Sequence, residues 1–135
     1  VKLITRDTDY AIRALSCIAG SPEKRASASR LGEELAIPRP FLRKILQKLN
    51  RAGVLDSVRG KGGGFTLSVP ADELSVFDVM EIFQGEFVMN EHIFKGRVCP
   101  RMRICRLKKE LDGIEKTVAE KLRNIKLSSL TVMKA

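Results

Sequence analysis

The chain has 135 residues, with 25 Lys plus Arg against 16 Asp plus Glu, a formal net charge of +9. That length supplies one ordinary hydrophobic core and not two, and the basic excess suits a polyanionic partner, either nucleic acid or an acidic membrane surface. No apolar run approaches the roughly 18 residues needed to span a bilayer. Acidic residues interrupt the opening VKLITRDTDY where a secretory signal would carry its apolar core, so a cytoplasmic location without a membrane partner is expected. Cys17, Cys99 and Cys105 are odd in number and too few for a disulfide scaffold, which leaves them as structural thiols or as ligands.

From Thr8 to Ala19 the apolar residues Ala11, Ile12, Leu15, Ile18 and Ala19 recur at helical steps, and Gly20-Ser21-Pro22 ends the run. A short second helix follows a serine cap at Ser27 or Ser29 and turns Leu31 and Leu35 inward. The prolines in Ile37-Pro38-Arg39-Pro40 bend the chain, since each disfavours helix at the residue before it and fits the first helical position itself. A third helix is predicted from about Pro40. It has a buried stripe of Phe41, Leu42, Ile45, Leu46 and Leu49, carries Arg39, Arg43, Lys44, Gln47, Lys48 and Arg51 on its other sides, and stops at Gly53. Val54–Val58 and Phe65–Val69 read as strands around the glycine tip Arg59-Gly60-Lys61-Gly62-Gly63-Gly64. Ser75 and Asp78 have the spacing of a capping box for a fourth helix through Val76, Val79, Met80, Ile82 and Phe83.

Residues 86–104 are expected to form a loop, which holds His92, Cys99 and Pro100. After it, Leu107, Leu111, Ile114, Val118, Leu122 and Ile125 mark a narrow stripe on a charged helix, predicted over 105–127 with a tail at 128–135. A second copy of the chain is the natural cover for that stripe, and packing on the chain's own domain is the alternative.

Helix, short helix, basic helix and glycine-tipped hairpin, taken in order, predict a mainly α fold with a small β-hairpin wing: a winged helix-turn-helix over 1–85 plus a long C-terminal dimerisation helix. In that arrangement the third helix enters the major groove and the hairpin lies along the phosphates. The charges agree, because between Pro38 and Lys61 stand Arg39, Arg43, Lys44, Lys48, Arg51, Arg59 and Lys61 against Asp56 alone. Arg grips guanine bidentately and Lys neutralises phosphate as a point charge. Ser29, Arg39, Phe41, Arg43, Lys44, Lys48, Arg59, Gly60, Lys61 and Gly62 are therefore the candidate contacts to a double-stranded DNA operator. Changes at Arg39 or Arg43 are expected to relax sequence choice. The glycine run matches neither a phosphate-binding P-loop nor the dinucleotide fingerprint, which would need a third glycine where Phe65 stands.

The stretch Ile37-Pro38-Arg39-Pro40-Phe41-Leu42, then Ala52-Gly53-Val54-Leu55, and above all Ser57-Val58-Arg59-Gly60-Lys61-Gly62-Gly63-Gly64-Phe65, resembles the BadM/IscR/NsrR-type winged-helix transcriptional regulators. The resemblance extends from Leu3-Ile4-Thr5 through the last helix and implies a DNA-binding homodimer. In cluster-binding members three cysteines with about five residues between neighbours precede the dimer helix. Here Cys99 and Cys105, with five residues between them, match the second and third, and His92 stands in place of the first with six residues before Cys99. Histidine can ligate iron. Asp9, in a Thr-Asp pair, matches a carboxylate that in one branch of the family reaches the partner subunit's cluster. The resemblance thus implies an iron-sulfur cluster, 2Fe-2S or 4Fe-4S, on His92, Cys99, Cys105 and Asp9.

Taken without the family, two loop cysteines and one histidine can be incidental, Asp9 can simply cap the first helix, and Cys17 reads as core. A cluster-free regulator responding to another signal or partner protein therefore stays open. A basic RNA-binding protein would need an aromatic platform, whereas the aromatic residues here fall mostly on core positions. No nucleophile-base constellation suggests an enzyme.

Overall fold

The computed structural model describes residues 2–61, 63–89 and 106–131. The candidate site residues Gly62, His92, Cys99 and Cys105 lie outside them, as does most of the 86–104 segment expected to be a loop.

Helix α1 (Arg6–Ala19) begins two residues earlier than the apolar periodicity alone indicates, because Thr5 caps it: the Thr5 side chain accepts the Thr8 N–H at 3.3 Å. The same end is tied to the far end of α4 (Val76–Gln84). Gln84 Oε1 accepts from Thr5 N at 3.1 Å and from the fully buried Thr8 hydroxyl at 2.7 Å, and Gln84 Nε2 donates to Leu3 O at 3.2 Å. One side-chain amide thereby satisfies three polar groups where the chain enters its first helix.

A single 3-10 turn (Pro22–Lys24) leads into a two-residue strand, β1 (Arg25–Ala26), and then α2 (Ala28–Leu35). Of the two candidate serine caps, Ser27 is the one used, accepting from Arg30 N at 3.1 Å. Ser29 is left exposed in the first turn. Ala36 closes α2 in the left-handed region, at φ 53°. Helix α3 (Arg39–Arg51) follows, and its end is tied off as the glycine indicates: Gly53, at φ +81°, donates to Asn50 O at 3.1 Å, and Val54 N to Leu49 O at 3.0 Å. Those paired bonds satisfy two of the carbonyls a helix end leaves open.

Strands β2 (Leu55–Val58) and β3 (Gly64–Leu67) make the antiparallel hairpin, and β1 adds to the free edge of β3, giving the order β1-β3-β2. No periodicity marks so short a strand as β1. It exists because Gly64 lets two backbones meet: a Cβ there would stand 2.5 Å from Ala26 O. The capping box opening α4 is present as the spacing predicts, with Asp78 N donating to Ser75 Oγ at 3.1 Å and Ser75 N to Asp78 Oδ2 at 3.0 Å.

Leu15, Ile18, Leu31, Leu42, Leu46, Leu49 and Leu55 are all buried in one core shared by α1, α2, α3 and the sheet. A second cluster, Val76, Phe77 and Met80 with Ala119 and Leu122, joins α4 to α5 (Arg106–Arg123). Here the stripe on the last long helix divides. Its C-terminal part packs on the chain's own domain, the alternative cover considered for it, while Leu107 and Ile114 stay open to solvent. Beyond α5 the chain is not a plain tail. Val76 N donates to Ile125 O at 2.9 Å and Leu127 N to Leu74 O at 2.8 Å, and a short helix, α6 (Leu127–Thr131), packs on α1.

Candidate nucleic-acid interface

The residues that build this surface are placed by the apolar stripe on the other side of α3. Leu42, Ile45, Leu46 and Leu49 are buried, and burying each leucine is worth roughly 1.5–3 kcal/mol. Their spacing turns Arg43, Lys44 and Gln47 to solvent. No acidic residue occurs anywhere in α3.

Phe41 does not join the stripe. It is 40% exposed, because position 41 falls on the solvent side of the face set by Leu42 and Ile45. The Arg6 guanidinium lies 4.9 Å from the Phe41 ring centroid, a cation–π contact between the start of α1 and the start of α3. Sequence reasoning left Arg6 out, and no local signal marks it, since its partner is distant in the chain. Arg39, the first residue of α3, donates through its Nη2 to Ser29 Oγ in α2. Lys48 leans back toward α4, its ammonium 5.4 Å from the Phe83 ring centroid.

The wing tip adds Arg59, Gly60 and Lys61, all exposed. Gly60 is at φ +96°, and its carbonyl accepts the Gly63 N–H at 2.9 Å. A Cβ at Gly63 would stand 2.4 Å from Val58 O. The glycines therefore make a tight turn that carries two cations at its end. The structure thus brings Ser29, Arg39, Phe41, Arg43, Lys44 and Lys48 together on the α2–α3 unit, while Arg59, Gly60 and Lys61 stand on the hairpin.

Asp9, the candidate metal ligand among the described residues, lies in the first turn of α1. Its carboxylate accepts from Arg13 Nε at 3.0 Å and is about half exposed. It does not cap the helix, since Thr5 does. Among the described residues no group of three His, Cys, Asp or Glu side chains is placed to hold a metal ion. Cys17 is buried as expected, and its Sγ donates to Glu34 Oε2 at 2.8 Å. No helix among the described residues is long and apolar enough to cross a membrane.

This order of elements, with a basic third helix and a glycine-tipped hairpin, defines a winged helix-turn-helix. The chain belongs to the Rrf2 family of iron-dependent transcriptional regulators, whose family model matches residues 4–132. It is 37% identical over 105 residues to Protein aau3 of Rhizobium meliloti (strain 1021), a match covering 77% of this chain and 68% of the relative. The fold is similar to that of CymR (YrzC), the global cysteine regulator of B. subtilis, with TM-score 0.75 and 20% identity over all of both chains. It is also similar to that of T. potens IscR, with TM-score 0.73 and 21% identity over 96% of this chain and 85% of the other. The family is one of transcriptional regulators, not of enzymes.

Proposed function

We propose that the protein is a sequence-specific regulator that binds duplex DNA as a homodimer, with α3 in the major groove and the wing along the phosphates. The observation that carries this reading is the acid-free outer face of α3 lying in one fold with the exposed cations of the wing tip. Arg43, exposed and without a carboxylate partner among the described residues, is suited to bidentate contact with a guanine edge. Lys61 at the wing neutralises phosphate. The open N-terminal half of α5, with Leu107 and Ile114, is the surface for the second subunit, and two subunits require two-fold related half-sites.

An anisotropy titration of duplex DNA at low salt tests the reading. Binding should fall steeply as salt rises, through counterion release. Arg43→Ala should cost about 1–3 kcal/mol per half-site of the preferred operator and relax sequence choice. Absence of duplex binding by both metal-free and reconstituted protein would end the proposal.

The signal in this reading is redox state, iron or nitric oxide, sensed by an iron-sulfur cluster on His92, Cys99 and Cys105 with Asp9 of the partner subunit. Its support is the iron dependence in the family description and the outward, exchangeable placement of the Asp9 carboxylate. The described residues do not make such a site by themselves. A bound cluster supplies one-electron redox chemistry and reactivity toward oxygen and nitric oxide. Anaerobic reconstitution followed by iron and sulfide analysis should give a coloured protein, and Cys99→Ser or Cys105→Ser should remove the visible absorption. Stoichiometric zinc without iron would point instead to a cluster-free regulator.

A further inference from the structure

Between the first turns of α2 and α3 lies a pocket of about 130 Å³ lined by Ala28, Ser29, Arg39, Leu42 and Arg43. Two guanidinium side chains and one hydroxyl border it, and no carboxylate does. Neither Arg39 nor Arg43 pairs with a carboxylate among the described residues, so the positive charge at this pocket is uncompensated. Its volume is that of roughly four waters, room for one compact tetrahedral anion.

Arg39 is held there. Its Nη2 donates to Ser29 Oγ, which removes much of the rotamer freedom a long side chain would lose on binding a ligand. A hydroxyl has one proton to give and two lone pairs. While accepting from Arg39, Ser29 keeps its own O–H to donate to an anion in the pocket. Arg43, one turn further along α3, has no such tether among the described residues.

We propose that this pocket seats a single backbone phosphate of the bound DNA, that Arg39 grips that phosphate rather than a base edge, and that Ser29 is its positioning residue. The inference rests on the DNA-binding reading above and alters one part of the expectation drawn from sequence, in which Arg39 and Arg43 both choose the sequence. The location agrees with the chemistry. In helix-turn-helix docking the helix preceding the recognition helix crosses the sugar-phosphate backbone, and the pocket opens at the seam between those two helices. Phosphate contacts fix register and carry no sequence information directly.

The test uses the full chain and a preferred duplex selected by the wild-type protein from a random pool, alongside a scrambled duplex of equal length. Anisotropy titrations across a salt series then compare the variants. Arg39→Ala should weaken both duplexes by one common factor, about ten- to a hundred-fold for each subunit bound, and lower the salt slope of the dimer by about 1.8, roughly 0.9 for each subunit's phosphate. Ser29→Ala should weaken both evenly, by about three- to ten-fold for each subunit bound, with the slope unchanged because no charge is lost. Arg39→Lys should restore the slope but only part of the affinity, since the fork is gone. Circular dichroism melts check that the exposed substitutions leave the fold intact. Loss confined to the preferred duplex in Arg39→Ala would show that Arg39 reads a base, and wild-type affinity in that variant would show that the pocket holds no phosphate. Either result overturns the inference while leaving DNA binding in place, whereas a wild-type protein that binds neither duplex overturns the reading beneath it.

Discussion

Helices α3 and α5 both carry apolar residues at three- and four-residue steps on a charged surface, yet they end in different surroundings. In α3 Leu42, Ile45, Leu46 and Leu49 are at most 3% exposed, whereas in α5 Leu107 and Ile114 are 61% and 53% exposed. The apolar stripe of α3 is closed by α1, α2 and β2, so its outer charges are free to meet a ligand. That of α5 is closed by α4 only where Ala119 and Leu122 reach Phe77 and Met80. An apolar stripe therefore names the face that must be covered, and the rest of the fold decides what covers it.

The sharpest way to break this comparison is to remove one apolar side chain from each helix. Leu49→Ala should cost about 2–5 kcal/mol in urea unfolding at any protein concentration, because the cavity lies in the shared core. Ile114→Ala should leave the single subunit within about 0.5 kcal/mol of the wild type. Equal losses in the two variants would mean that α5 is covered within its own chain.

Next in size is the hairpin. Gly64→Ala places a Cβ against Ala26 O at a φ of +149°, and since both partners are backbone the sheet itself must shift. A loss of about 2 kcal/mol or more is expected in thermal unfolding, together with weaker DNA binding as the wing moves. A variant as stable as the wild type would show that the β1–β3 contact is dispensable.

Ile114→Glu probes α5 from the other direction. It should give a monomer at micromolar concentration in sedimentation velocity, with unchanged far-ultraviolet circular dichroism and reduced affinity for a two-fold operator. Ile114 suits this purpose better than Val118, which is partly buried against the α4–α5 cluster and would disturb the subunit itself. A dimer that survives the charge would place the subunit contact elsewhere. The smallest effect is expected at Ala36, the left-handed residue between α2 and α3. There Ala36→Gly should change stability by no more than about 1 kcal/mol, the relief of the Cβ contact offsetting the added freedom of the unfolded chain.

Much of the fold was legible because its signals are local. Helical spacing, the Ser75–Asp78 box, the Gly53 stop and the glycine tip each act within a few residues, and each appears where the sequence predicts it. Along α3 the sequence also orders the candidate contacts, since the residues between the leucines must face outward. Phe41 was misplaced because hydrophobicity argues for burial, while its angular position puts it on the outer side of the stripe, under Arg6.

The sequence by itself determined which segments are helical, which face of α3 is buried and where the basic residues cluster, because backbone propensity and apolar periodicity are properties of neighbouring residues. Only the tertiary structure decided that Ser27 caps α2 and leaves Ser29 to hold Arg39, that Gln84 fastens the entry to α1, that β1 pairs beside Gly64, and how far along α5 its own domain reaches. The Ser27 cap itself is a local bond to Arg30 N, but the others depend on residues further apart in the chain meeting at hydrogen-bond or van der Waals range, and such meetings are set by the packing of whole elements rather than by any local pattern.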